Sequence, residues 1–198
     1  PEHPAFGSTE TILIASNRLA LEAAAARAHD LGLQALLLET ALAGEAAEVG
    51  RRLASTLLEH DATNVARAQD GKVNKDTVFV WGGETTVTLT PEAGLGGRSQ
   101  ELALAAAEIL GRRAGAGRIT LLAAGTDGRD GPTDAAGGFA DATTWEAIRA
   151  AGRDPGRDLR THHGYDALVA GGVVFKTGMT GTNVMDLVLG LVLARPTP

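Results

Sequence analysis

Four glycine-rich stretches interrupt this chain, and each follows a short aliphatic run. Strand-then-glycine order of that kind is the grammar of open α/β sheets, which collect ligands beyond their strand ends. Strands are expected over residues 11–16, 33–39, 77–81, 84–90, 118–124 and 173–177, with 186–193 a last strand or short helix. Helices are expected over 17–31, 45–60, 99–113, 141–151 and 165–170, and the polar stretch 153–160 reads as turns. Ser16 or Asn17 is placed to cap the first helix, and Gly32 to stop it. In the second helix, Ala46, Val49, Leu53 and Leu57 share one face. Strand–helix–strand–helix order over residues 11–60 implies neighbouring parallel strands, while Gly82-Gly83 would break residues 77–90 into a hairpin or a bend. The expected fold class is therefore α/β, a mixed sheet flanked by helices. Two strands cannot bury both faces of a sheet, so the first 60 residues need partners. Residues 63–75, polar and carrying Asp70-Gly71, read as a linker.

Aromatics are only 4% of the 198 residues, so the core must be built from Leu, Val, Ile and Ala. The net charge of −6, with no long Lys/Arg run, argues against a nucleic-acid partner, which needs a basic stripe to displace counterions. The absence of Cys excludes thiolate metal sites and a Cys nucleophile, and fits a cytoplasmic protein. No apolar run approaches the roughly 20 residues of a membrane helix. The chain opens on Pro1-Glu2-His3-Pro4 without an initiator Met, so it is expected to be part of something longer.

The four loops carry the candidate chemistry. Gly82, Gly83 and Glu84 form the first; taken alone it reads as a glycine bulge with a solvated Glu, although paired glycines also admit a ligand. In the second, Gly94, Gly96 and Gly97 open onto a helix whose amides and dipole suit an anion, and Arg98 adds a planar fork for phosphate or carboxylate. An ordinary glycine loop with Ser99 as cap is the equal alternative. The third holds Thr126, Asp127, Asp130 and Asp134. Three carboxylates within eight positions suit Mg²⁺ or a hydroxyl proton, although one or two of them would simply cap their own turns. The fourth, with Gly178, Thr180, Gly181, Thr182 and Asn183, alternates glycine with hydroxyls as an anion nest does. Adjacent His162 and His163 are poorly placed to share a metal. Neither a G-x-G-x-x-G fingerprint nor a Walker lysine is present.

In that order and spacing, GGETTVTL (residues 82–89), GLGGRSQELALAAA (94–107), AAGTDGRDGPTDAAGG (123–138) and TGMTGTNVMDL (177–187) resemble the C-terminal MOFRL domain of the glycerate 2-kinases once labelled hydroxypyruvate reductases. The likeness covers about residues 76–193, with Ser99 where the family usually has Asn and Met179 where it often has Pro. It implies a MOFRL-like domain at 76–198, preceded at 1–62 by the tail of a Rossmann-like N-terminal domain whose remainder, with a catalytic lysine, lies elsewhere. It also implies ATP-dependent phosphorylation of the 2-hydroxyl of D-glycerate, with ATP and Mg²⁺ as cofactors. On that likeness Arg98 and Asp127 would be catalytic, and Asp127, Asp130 and Asp134 would hold the metal. Gly82, Gly83, Glu84, Gly96, Gly97, Thr126, Gly178, Thr180, Gly181, Thr182 and Asn183 would contact substrate or phosphate. A homodimer is a further expectation. Two other functions stand beside this one: an NAD(P)H-dependent hydroxypyruvate reductase, and a non-catalytic anion-binding module.

Overall fold

A computed structural model of the chain describes residues 3, 4, 7, 9, 10, 12–69, 75–113 and 116–194. Helix α1 (Asn17–Asp30) is followed by β1 (Gln34–Leu42), α2 (Ala46–Gln69), β2 (Thr77–Gly83), α3 (Arg98–Gly111) and β3 (Ile119–Gly125). Then come β4 (Gly137–Asp141), α4 (Thr144–Ala150), α5 (Pro155–Arg160), α6 (Gly164–Ala170), β5 (Val174–Phe175) and β6 (Asp186–Val192). The strands form one sheet in the order β1-β2-β6-β3-β4-β5. Only β1 and β2 pair in parallel; every other neighbour is antiparallel. This is the mixed, helix-flanked sheet expected from the sequence.

The last strand in the chain is central in space, and that fixes the site. Because β6 runs against both neighbours, its first residue lies beside their last ones: Asp186 pairs with Gly83 of β2 and with Gly125 of β3. Three chain segments thus turn at one edge of the sheet.

Helix α3 crosses the sheet just behind that edge. Leu102 to Ala107 are all buried to 1% exposure or less, so the helix is apolar on every side, as a helix packed between layers must be. Its alanines let α2 approach closely; a Cβ on Gly50 of α2 would strike the Leu102 carbonyl. Leu102, Leu104 and Leu110, removed from water, contribute about 2 kcal/mol each. On the opposite face, Leu21 and Ala28 of α1 pack on Val78 and Val80 of β2.

Several expectations are corrected. Ile12, Leu13 and Ile14 form no strand: no described strand pairs with them, and they are 70–89% exposed. Residues 84–90 are not the second arm of a hairpin. They leave the sheet and lie along the start of α2, where Thr86 donates to the Gly44 carbonyl, accepts from Ala46 and makes a single bridge to Glu45. Helix α2 runs on to Gln69, through part of the stretch read as a linker, while residues 70–74 lie outside the described ones. Strand β1, before that stretch, and β2, after it, are hydrogen-bonded neighbours in one sheet. The long loop after β3 ends in a strand, β4, whose glycines allow tight pairing: a Cβ on Gly137 would collide with the Ala123 carbonyl. The turns expected at 153–160 contain α5, started by Asp154, whose carboxylate accepts from Arg157 N, and by Pro155 in the first turn.

Candidate functional site

At the sheet edge where β2, β3 and β6 meet lies a cleft of about 640 Å³. Residues 85–89, the loop 94–97, the N-terminus of α3, residues 127–132 and the turn before α6 wall it. Arg98, the first residue of α3, is held there by two carboxylates. Its Nε and Nη2 donate side-on to Asp186 at 2.6 and 3.1 Å, and Nη1 lies 2.5 Å from Glu84 Oε1. Three of five guanidinium N–H donors are thereby engaged, which leaves two for a ligand. Asp186 is buried while Glu84 is half exposed. The hydrogen bonds that Arg98 donates to Asp186 hold the Arg98 pKa above its ordinary value. Burial pushes the Asp186 carboxyl up, and Arg98 opposes it. A buried carboxylate that fixes an arginine, plus an exposed one that a ligand can displace, makes a preset anion clamp.

Asp130 is engaged by the backbone of α3. Its carboxylate accepts from Ser99 N at 3.1 Å and Gln100 N at 2.7 Å, so it caps α3 from a different loop. The helix N-cap is Gly97, which has no side chain to offer, and Ser99 is already inside the helix. Burial raises the Asp130 pKa to about 6 against those two amide bonds. The amides that the sequence offered to an outside anion are in part filled from within.

Asp127 faces the cleft, and its Oδ1 accepts from Arg129 N at 2.9 Å in a tight turn. Asp134 lies on the exterior, where Tyr165 donates to it at 2.7 Å and Lys176 at 2.8 Å. Asp127 and Asp130 both border the cleft while Asp134 lies apart, and among the described residues no group of three acidic or histidine side chains could hold a metal.

Of the other predicted residues, Gly96 and Gly97 line the cleft. Gly82 packs against Asn17 and Leu21, and Gly83 against the backbone of Leu42, so both serve strand and helix contacts. Thr126 does not line the cleft; its hydroxyl donates to the Met185 carbonyl and accepts from Val184 N. The 178–183 loop rests beside residues 126–128: Thr180 donates to the carbonyls of Asp127 (through N) and Thr126 (through Oγ1). Asn183 Nδ2 reaches Asp127 Oδ2 at 3.5 Å, while Gly178, Gly181 and Thr182 lie outside the cleft wall.

Sequence reasoning missed Asp186, which had been read as the start of a core strand. It also missed Glu101 and His162, which meet in the cleft wall with His162 Nδ1 2.8 Å from Glu101 Oε2. For Glu101 a signal was present: a charge three residues after Arg98 on a helix otherwise rich in Leu and Ala shares Arg98's face. His162 carried none, since its place depends on the turn between α5 and α6.

Comparison with known proteins gives both sequence and fold relatives. The chain is 39% identical over 193 residues to a D-glycerate 2-kinase of Thermotoga maritima, covering 98% of this chain and 43% of that protein. It is 39% identical over 189 residues to a glycerate 2-kinase of Pyrococcus horikoshii, covering 95% and 40%. The crystal structure of a glycerate kinase from Thermotoga maritima superposes with a TM-score of 0.82 at 40% identity, over 93% of this chain and 42% of that one. The chain thus spans about two fifths of the length of these relatives. No described helix is long and apolar enough to cross a membrane. The MOFRL family model matches residues 77–186, more than half of the protein, and the chain therefore belongs to the MOFRL family.

Proposed function

We propose that this chain is the MOFRL portion of an ATP-dependent D-glycerate 2-kinase, which transfers the γ-phosphoryl group to the 2-hydroxyl of D-glycerate. The observation that carries this reading is the Arg98 clamp, held by buried Asp186 where three chain turns meet and open to a cleft of substrate size. Phosphoryl transfer asks mainly for positioning and for charge to meet the transferred group, and an arginine fixed before the ligand arrives supplies both. An incoming phosphoryl or carboxylate group takes the place of Glu84, whose half-exposed ion pair is worth at most about 1 kcal/mol. Asp127, across the cleft, orients the acceptor hydroxyl.

Asp127, Asp130 and Asp134 do not fit a shared magnesium cage, because one caps α3 and another lies on the exterior. Mg²⁺ then belongs to the substrate MgATP, as is usual for an ion that keeps its waters and binds phosphates. In the same reading, a Rossmann-like domain outside this chain closes over the cleft, residues 1–62 being where that domain meets the sheet; the enzyme works in the cytoplasm, and it pairs as a homodimer. The greater length of the relatives' chains supports the further domain.

The test is to incubate the full-length protein with MgATP and D-glycerate and follow the product by ³¹P NMR, and separately to supply hydroxypyruvate with NADH. A 2-phosphoglycerate signal is expected in the first assay. Oxidation of NADH with no phosphorylated product would overturn the reading in favour of the reductase.

A further inference from the structure

The turn between α5 and α6 holds His162 in an unusual backbone state. Its φ is +54°, and Met185 is the only other described non-glycine residue with a positive φ. A side chain kept in that region needs a surrounding structure that fixes it, and such positions gather at functional sites. Here the fixing is visible. Gly94 N donates to the Thr161 carbonyl and Tyr165 N to the Leu95 carbonyl, so the cleft loop 94–97 clamps the turn from both sides. The close approach depends on Gly96, where a Cβ would press on the His162 carbonyl at 3.2 Å.

The clamped ring is only 12% exposed and forms part of the cleft wall, with Nδ1 2.8 Å from Glu101. Burial pushes the Glu101 carboxyl up, and its hydrogen bond with His162 opposes that. With Glu101 ionised it can only accept, so Nδ1 then carries the proton and the lone pair of the neutral ring sits on Nε2. Among the described residues Nε2 has no hydrogen-bond partner. Glu101, 8% exposed, lies one helical turn beyond Arg98, so the anion clamp and the histidine pair share one face of α3. The charges that act on the pair from outside are Glu45, just before α2, and Arg51 on α2, while Arg98 and Arg129 line the same cleft.

We propose that His162 Nε2 takes the proton of the acceptor hydroxyl and that Glu101 holds the ring in the tautomer able to do so, an inference that rests on the kinase reading above. As the acceptor oxygen bonds to the γ-phosphorus, the bond from that phosphorus to the β,γ-bridging oxygen breaks and ADP leaves. The hydroxyl proton moves to Nε2, Glu101 balances the imidazolium, and the proton passes to solvent after the product departs. General bases contribute about 10²- to 10⁴-fold.

The experiment compares wild type, His162→Gln, His162→Ala and Glu101→Gln in the full-length protein, assayed with MgATP and D-glycerate from pH 5 to 9. His162→Gln should lower kcat about 100-fold or more with KM within threefold, and should lose the acid limb of the kcat profile. Added imidazole should restore part of the His162→Ala rate, and Glu101→Gln should fall between. A His162→Gln rate within threefold of wild type, or a loss that imidazole does not relieve and that is equal at every pH, would overturn the proposal. Should wild type fail to phosphorylate glycerate, the kinase reading falls first, and ¹⁵N NMR of the histidines decides the rest. A neutral ring protonated at Nδ1 in wild type supports the assigned roles, whereas protonation at Nε2 overturns them.

Discussion

Loops 94–97 and 177–183 are both glycine-rich, and the structure uses their glycines in opposite ways. In the first loop the glycines are crowded. A Cβ on Gly94 would strike the His163 ring, and one on Gly97 the Asp130 carboxyl. In the second, Gly178 and Gly181 have open space where a Cβ would go, but φ values of +70° and +78°. One loop needs glycine for close approach, the other for backbone direction. What comes close in the first loop is the protein itself, so a glycine-rich helix start can be an anion site whose anion, Asp130, is built in.

The sharpest way to break this contrast is Gly97→Ala. The added methyl must displace the Asp130 carboxyl from Ser99 N and Gln100 N, both buried. Overpacking costs 1–3 kcal/mol, and two amides losing a charged acceptor add to it, so a loss of about 4 kcal/mol is expected in urea unfolding. A loss below about 1 kcal/mol would show that the cap can shift at little cost, and the crowding would explain nothing.

A second prediction sharpens the role of Asp130 itself. Its carboxyl sits at about 6 against an ordinary 3.8, with burial as the main cause. A raised carboxyl pKa means that the folded protein holds the proton more firmly. The associated stability is fully present below about 3.8 and is lost as pH rises through 6. That gap corresponds to about 3 kcal/mol. Unfolding free energies of wild type and Asp130→Asn, measured from pH 3.5 to 7.5, should therefore converge or cross, with wild type losing up to that amount relative to the variant. A difference that stays flat with pH would mean that the two amide bonds fully offset burial.

The same contrast explains how much could be read beforehand. Helix α1 was legible because its signals are local: Ser16 caps it by accepting from Leu19 N, and Gly32 follows it with φ +81°. The mixed sheet followed from the aliphatic runs. Strand β4 did not, because Gly137-Gly138-Phe139-Ala140-Asp141 has no strand pattern of its own and is made a strand by its neighbour β3. Residues 12–14 failed the other way, with a strand-like composition but no described strand paired with them. At the site, Arg98 and Asp127 were found because their loops advertise them. Asp186 reaches Arg98 only through the register of β2, β6 and β3, and no local pattern encodes a register between segments a hundred residues apart.

The smallest expected effect is also the cleanest discriminator. Alanine at Gly178 or Gly181 meets no neighbour, so the only penalty is that of a left-handed conformation, about 1 kcal/mol each. The loop keeps its anchors in either variant, because Thr180 Oγ1 still donates to the Thr126 carbonyl and Val184 N to the Thr126 hydroxyl. Each variant should fold, and each should unfold at slightly lower urea. If Gly178→Ala instead destabilised as much as Gly97→Ala, the space beside it would have to be occupied in the working protein. The loop would then be a docking surface rather than an open nest. An effect near 1 kcal/mol, with MgATP affinity reduced in Gly178→Ala but unchanged in Asp134→Ala, would place the nucleotide's phosphates against the open loop and leave the crowded one as scaffold for Arg98.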